Sequence, residues 1–249
     1  MLPDAFFALY GGLPRQGPGS DVSTLRALGA VPNLPPKPRV LDLGCGPGRQ
    51  TLVLAHALQA RITAIDTHRP FLDELCQRAA TAGLSHLIEA RCVSMDALDE
   101  PAGSVDLIWC EGAAYTVGVA RALVLWRPLL RPGGVVAFSE ATWFTDTPAD
   151  EVRLFWQEVY PDIKTIAGNI ALAKEAGYEV SDSFPLPDED WWSEYYTPLE
   201  ARVRTLRGAG GVQPDLQAVI DETEREIDMF RRYSDNYGYV FYVCVKPER

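Results

Sequence analysis

The sequence predicts an α/β protein built on a doubly wound, mostly parallel sheet. Three observations carry that prediction. From about residue 38, short apolar runs alternate with longer amphipathic ones, the order that lays parallel strands between two layers of helices. The first apolar run, VLDL, passes through the glycine-rich GCGPG into a helix-like stretch. The second, ITAID, ends on an acid, Asp66.

The strands and helices follow in order. Residues 39–44 read as a buried strand and 48–60 as a helix. Residues 61–66 form a second strand, and 69–83 a helix opened by Pro70 and closed by Gly83. Residues 86–94 and 105–112 are the third and fourth strands, 118–130 a helix, the RPGG at 131–134 a turn, and 135–143 a fifth strand. Further on, 165–177 reads as a helix ended by Gly177, 178–187 as strand-like, 213–238 as a long amphipathic helix, and 239–245 as a last apolar strand. Before the first strand, the Gly/Pro loop LPRQGPGS leads to a short helix in DVSTLRALGA, with Ser20 or Asp21 as its cap. The Pro-rich segment 31–38 is a stiff connector.

Composition bounds the function. The chain has 249 residues, a 47% apolar fraction and a net charge of −11, with no dense basic run to offset it. Nucleic acid is therefore not an expected partner, since a polyanion needs a basic footprint. The cysteines at 45, 76, 92, 110 and 244 are odd in number and lack paired spacing, so neither a disulfide framework nor a metal site is expected. The apolar AFFALY is too short for a membrane span and has no basic flank, so the expectation is a cytoplasmic protein with no membrane partner.

The glycine loop narrows the ligand. Its spacing is Gly-x-Gly-x-Gly at Gly44, Gly46 and Gly48, preceded by Asp42. It matches neither the Gly-x-Gly-x-x-Gly of dinucleotide folds nor a P-loop. A carboxylate at Asp66, ending the second strand, can accept both ribose hydroxyls of a nucleoside; the alternative is a cap for the helix near Pro70. Met95 and Asp96 follow the third strand, an apolar face beside a carboxylate that suits an adenine ring and its exocyclic amine.

Together, VLDLGCGPG, AID, SMDAL, SVDLIWCEGAAY and LLRPGGVVAFSE resemble the class I S-adenosylmethionine-dependent methyltransferases of the small-molecule kind. The resemblance implies a seven-stranded, Rossmann-like sheet whose last strand is antiparallel and inserted between the fifth and sixth, one methyltransferase domain over 1–249. Within it, 1–34 is an N-terminal helical lid, 35–145 the cofactor-binding core, and 146–249 the substrate side, with an insert near residues 186–236. It implies S-adenosylmethionine as cofactor. Gly44, Gly46 and Gly48 would approach the methionine part, with Asp42, Cys45 and Thr67 counted among the contacts. Asp66 would take the ribose, Met95 and Asp96 the adenine, and Glu111 would lie where the methyl donor meets the acceptor. Arg15, the one cation of the first Gly/Pro loop, would meet the methionine carboxylate, the alternative being an ordinary surface arginine.

The acceptor is read less sharply. Cys110-Glu111-Gly112-Ala113 departs from the Asn/Asp-Pro-Pro-aromatic of the branches that methylate nucleobases and amides, which points to a small metabolite carrying an amine, hydroxyl or thiol. Acceptor-site candidates are Tyr115, Glu140, Trp143, Trp191, Trp192, Tyr195 and Tyr196. With the acids Asp188, Glu189, Asp190 and Glu194 they would suit a cation. The alternative is that the aromatics near 190 pack the insert or make a homodimer contact. His56, His68 and His86 are not expected to act as a base, because none falls at a strand end facing the site. Competing readings are a nicotinamide-dependent oxidoreductase, a non-catalytic cofactor sensor, and an aminopropyl transferase.

Overall fold

Residues 4–248 are described by a computed structural model; residues 1–3 of the expected lid segment, and residue 249, lie outside it. One sheet holds strands β1 (Val40–Leu43), β2 (Ile62–Asp66), β3 (Ile88–Cys92), β4 (Val105–Glu111), β5 (Leu130–Trp143), β6 (Lys164–Thr165), β7 (Glu179–Pro185) and β8 (Tyr237–Val245). Their order is β3-β2-β1-β4-β5-β8-β7, with the two-residue β6 pairing off this path against β5. β1 to β5 run parallel, and β8 lies antiparallel between β5 and β7. The expected seven strands are therefore present, and β6 is an addition. β1 and the central residues of β4 are buried on both faces, which is why they read as continuous apolar runs.

Helices α3 (Arg49–Leu58), α4 (Arg69–Thr81), α5 (Val119–Trp126) and α7 (Ile166–Glu175) cover the sheet. α4 starts with Pro70 in its first turn, and α7 is capped by Thr165, whose hydroxyl accepts the Gly168 N–H. The RPGG segment differs from the expected turn. It lies within β5, where pairing with β4 shifts register between Val105 and Leu107. Gly133 N–H donates to Lys246 O and Lys246 N–H to Gly134 O, so the residue that follows β8 holds the bulge in place.

The N-terminal segment comprises α1 (Asp4–Tyr10) and α2 (Asp21–Gly29), the latter capped by Ser20, which accepts the Ser23 N–H. The segment near 190 is helical: α8 (Glu189–Trp191), a five-residue π turn (Trp192–Tyr196) and α9 (Thr197–Ala209) run on continuously, followed by α10 (Pro214–Tyr233). α6 (Asp150–Val159), which had no counterpart among the expected elements, packs Val152, Phe155 and Trp156 into the same core cluster as α10. Among the described residues, no helix is long and apolar enough to cross a membrane.

Candidate active site

The carboxyl ends of β1, β2 and β4 converge on the glycine loop. The N–H groups of Gly44 and Cys45 both donate to Ile65 O, which ties the loop to the end of β2. Gly44, Gly46 and Gly48 take φ of +68°, +54° and +81°, the left-handed region that side chains resist. At Gly44 the need is also steric. A Cβ there would lie 2.4 Å from the Ala113 methyl and 3.1 Å from Met95 Cε.

Asp66 closes the loop from β2. Its Oδ2 accepts the Gly46 N–H at 2.9 Å and its Oδ1 the His68 N–H at 2.8 Å. It thus ties the loop to the turn that leads into α4, whose N-cap is His68; the α4 cap that is the alternative reading of Asp66 is not formed. Asp42 is wholly buried and faces α3. The Thr51 hydroxyl donates to it at 2.5 Å and Gln50 Nε2 at 3.4 Å, while Gln50 Nε2 also reaches Cys45 O at 3.1 Å. Burial, opposed by those hydrogen bonds, pushes the Asp42 carboxyl up to about 7. Cys45 packs its buried side chain with Ala64, Leu72 and Leu75, so only its backbone belongs to the loop. Thr67 follows Asp66 and offers its carbonyl to Cys92 Sγ.

Met95 reaches toward Gly44 and accepts the Trp126 indole N–H on its carbonyl. Asp96 is held by the Ser94 hydroxyl at 2.5 Å and Arg121 at 2.9 Å, and both lower its pKa, Ser94 first.

The Gly/Pro loop 13–20 packs between the glycine loop and the segment near 190. Gln16 Oε1 lies 3.6 Å from where a Gly46 Cβ would stand, and Gly19 N–H donates to Asp190 O. Phe7 of α1 stacks on His68 at a centroid distance of 3.5 Å. Arg15 is buried, and its three nitrogens reach Glu194 at 3.1 Å, Glu111 at 3.2 Å and Asp21 at 3.0 Å. Desolvation opposes its charge, but Glu111, Glu194 and Asp21 outweigh it and raise its pKa. Arg49 bridges Asp21 and Glu194 at 3.0 Å each. Glu111 is spoken for on both oxygens: Oε2 by Arg15, Oε1 by the Thr24 hydroxyl at 2.7 Å and the Trp109 indole at 2.9 Å. It joins floor to cover, where the sequence placed it beside the methyl donor.

The acceptor candidates divide into two groups. Trp191, Tyr195 and Tyr196 are core residues; Trp191 stacks on Phe230 at 4.1 Å, and Trp192 packs beside them. The cation site expected from the 188–196 segment is not assembled there. Glu194 belongs to the arginine cluster, the Asp190 side chain is buried, and Asp188 and Glu189 are exposed. By contrast Tyr115, Glu140 and Trp143 meet residues the sequence did not single out. Tyr115 lies against Tyr160 at 5.8 Å, and a Cβ on Gly112 would fall 2.9 Å from the Tyr239 ring. Glu140 is buried, Oε1 accepts the Ala141 N–H, and burial pushes its carboxyl up to about 8. Glu226 of α10 accepts the Tyr196 hydroxyl at 2.8 Å, and burial raises its pKa. His56, His68 and His86 lie on α3, before α4 and before β3. The cysteines are free; Cys92 is exposed at the end of the edge strand β3.

A family described as "Methyltransferase domain" matches residues 40–134. Trans-aconitate 2-methyltransferase of Escherichia coli is 30% identical over 216 residues, 78% of this chain and 74% of that one. Among solved structures, YjhP of E. coli superposes with a TM-score of 0.82 at 23% identity, covering 98% of this chain and all of that one. A methyltransferase of Geobacter sulfurreducens in complex with S-adenosyl-L-homocysteine superposes with a TM-score of 0.81 at 22% identity, covering 98% of both chains. The chain belongs to the class I S-adenosylmethionine-dependent methyltransferases. Its cofactor is S-adenosylmethionine, and the residues present fit it: a tight loop with three left-handed glycines, Gly44, Gly46 and Gly48, whose Gly46 N–H is bonded to the Asp66 carboxylate.

Proposed function

We propose that this enzyme methylates a small-molecule acceptor, with its cofactor lying on the glycine loop beneath the 13–20 cover. The observation that carries the reading is the joint geometry of Gly44, Gly46 and Asp66, where a left-handed loop is bonded to the acid that ends β2. Asp66 is assigned to the ribose hydroxyls, Met95 and Asp96 to the adenine. Arg15 uses three of its five N–H donors on carboxylates, which leaves two for the methionine carboxylate. The methionine ammonium then faces Glu194 and Asp21, so a zwitterion meets a cluster of mixed sign. Glu111 acts through Arg15 by fixing its guanidinium.

When bound, the cofactor supplies an electrophilic methyl on a sulfonium, and the protein's contribution is chiefly to align an acceptor with it. A net charge of −11 supports a small acceptor over nucleic acid. Incubation with methyl-labelled S-adenosylmethionine and a fractionated small-molecule extract tests the reading. Label should move to a low-mass fraction; its retention on the cofactor in every fraction would favour a sensor.

A further inference from the structure

We infer that Gln16 is a further cofactor-binding residue, whose side-chain oxygen accepts a hydrogen bond from the α-ammonium of the methionine part. This rests on the placement of the cofactor on the glycine loop and adds one residue to it.

The Gln16 amide is oriented by its own surroundings. Its Nε2 donates to Tyr10 O and to Leu13 O, each at 3.3 Å, so both N–H groups turn back into the segment that carries them. The flipped amide would set Oε1 against two carbonyl oxygens, neither of which can donate. Oε1 therefore points to the glycine loop, where it lies 3.6 Å from the position of a Gly46 Cβ. The Gly46 N–H is not its partner, because that group donates to Asp66. Among the described residues nothing donates to Oε1, and the atom is not sealed from solvent. An oriented, reachable acceptor thus stands at the middle glycine of the loop.

The cofactor has few donors to offer it. With the ribose hydroxyls assigned to Asp66 and the adenine amine to Asp96, the ammonium is the group still in need of a directional partner. Glu194 and Asp21 supply negative charge, but each of their four oxygens already accepts from Arg15 or Arg49. Gln16 Oε1 has both lone pairs free. A neutral acceptor also suits the place, since a further carboxylate beside Glu111, Glu194 and Asp21 would add like charge to three acids held by two arginines. The consecutive pair Arg15-Gln16 then reads both charges of the zwitterion, the guanidinium taking the carboxylate and the amide oxygen taking the ammonium.

A Gln16 that only ties Tyr10 to Leu13 would not sense the ammonium, and this separates the two roles. Calorimetric titration of the intact protein with S-adenosylhomocysteine, and with its deamino analogue in which hydrogen replaces the ammonium, tests the assignment. Wild type should bind S-adenosylhomocysteine at least about tenfold more tightly than the analogue, the effect of one hydrogen bond to a charged group. Gln16→Met should cut that preference about tenfold, whatever it does to both affinities together. Gln16→Ala reads the same ratio should Gln16→Met fail to fold. Equal binding of the two ligands by wild type, or an unchanged preference in either folded variant, would overturn the assignment. If wild type binds neither ligand, the cofactor placement itself falls and the assignment falls with it.

Discussion

Arg15 and Glu111 are joined at 3.2 Å with both side chains almost fully buried, one from the N-terminal cover and the other from the end of β4. The pair locks the cover to the sheet edge where the cofactor loop begins. Removing one member of a buried pair leaves the other uncompensated, a loss of about 3–5 kcal/mol. Arg15→Ala should therefore lower stability in urea by about that amount and weaken S-adenosylhomocysteine binding. Glu111→Gln in the Arg15→Ala background should recover part of the stability but not the affinity. Wild-type affinity in Arg15→Ala would remove it from the cofactor site.

Gly44→Ala and Gly83→Ala make a matched pair. Both glycines have φ near +70°, but a Cβ at Gly83 meets nothing within 4 Å, whereas at Gly44 it strikes Ala113. Gly83→Ala should lose only about 1 kcal/mol of stability from the backbone conformation. Gly44→Ala should lose more and also lose cofactor binding, measured by melting and calorimetry. Equal effects would mean that the Gly44–Ala113 approach is unimportant.

Trp191→Ala should behave as a core truncation. The residue is 2% exposed and stacked on Phe230. A loss of about 3–5 kcal/mol in chemical denaturation is expected; less than about 1 kcal/mol would place its ring outside the core.

The stability of the free protein should fall as pH rises. Glu140 is raised from 4.5 to about 8 and Asp42 from 3.8 to about 7, chiefly by burial. Between those limits the folded state holds protons that the unfolded chain has released, so unfolding gains as pH increases. The melting temperature should decline from about pH 5 to pH 8, and Glu140→Gln should flatten the decline. A rising melting temperature over that range would contradict the burial of these acids.

What was legible in the sequence was local. The strand–glycine–helix step at 40–58 and the acid at Asp66 need only near neighbours, and Ser20 caps α2 through a residue three positions on. Of the three carboxylates around Arg15 only Asp21 is near in sequence; Glu111 and Glu194 lie 96 and 179 positions away, so the burial of Arg15 among them left no local trace. The RPGG bulge is fixed by the residue that follows β8, more than a hundred residues later, and the aromatics near 190 are core because α10 presents Phe230 to them. Tyr160, Tyr239 and Glu226 escaped notice for the same reason. Each sits in a run that reads as an ordinary helix or strand, and only tertiary packing sets Tyr160 against Tyr115, Tyr239 beside Gly112 and Glu226 against Tyr196.

Titration of S-adenosylhomocysteine into the wild type and Asp66→Ala, with NADH as the comparison ligand, tests the central claim most directly. One saturable site for S-adenosylhomocysteine is expected, weakened about 5- to 150-fold by Asp66→Ala through loss of about 1–3 kcal/mol of charge-assisted hydrogen bonding. Binding of NADH in preference, or an Asp66→Ala affinity equal to wild type, would contradict the placement of the cofactor on this loop.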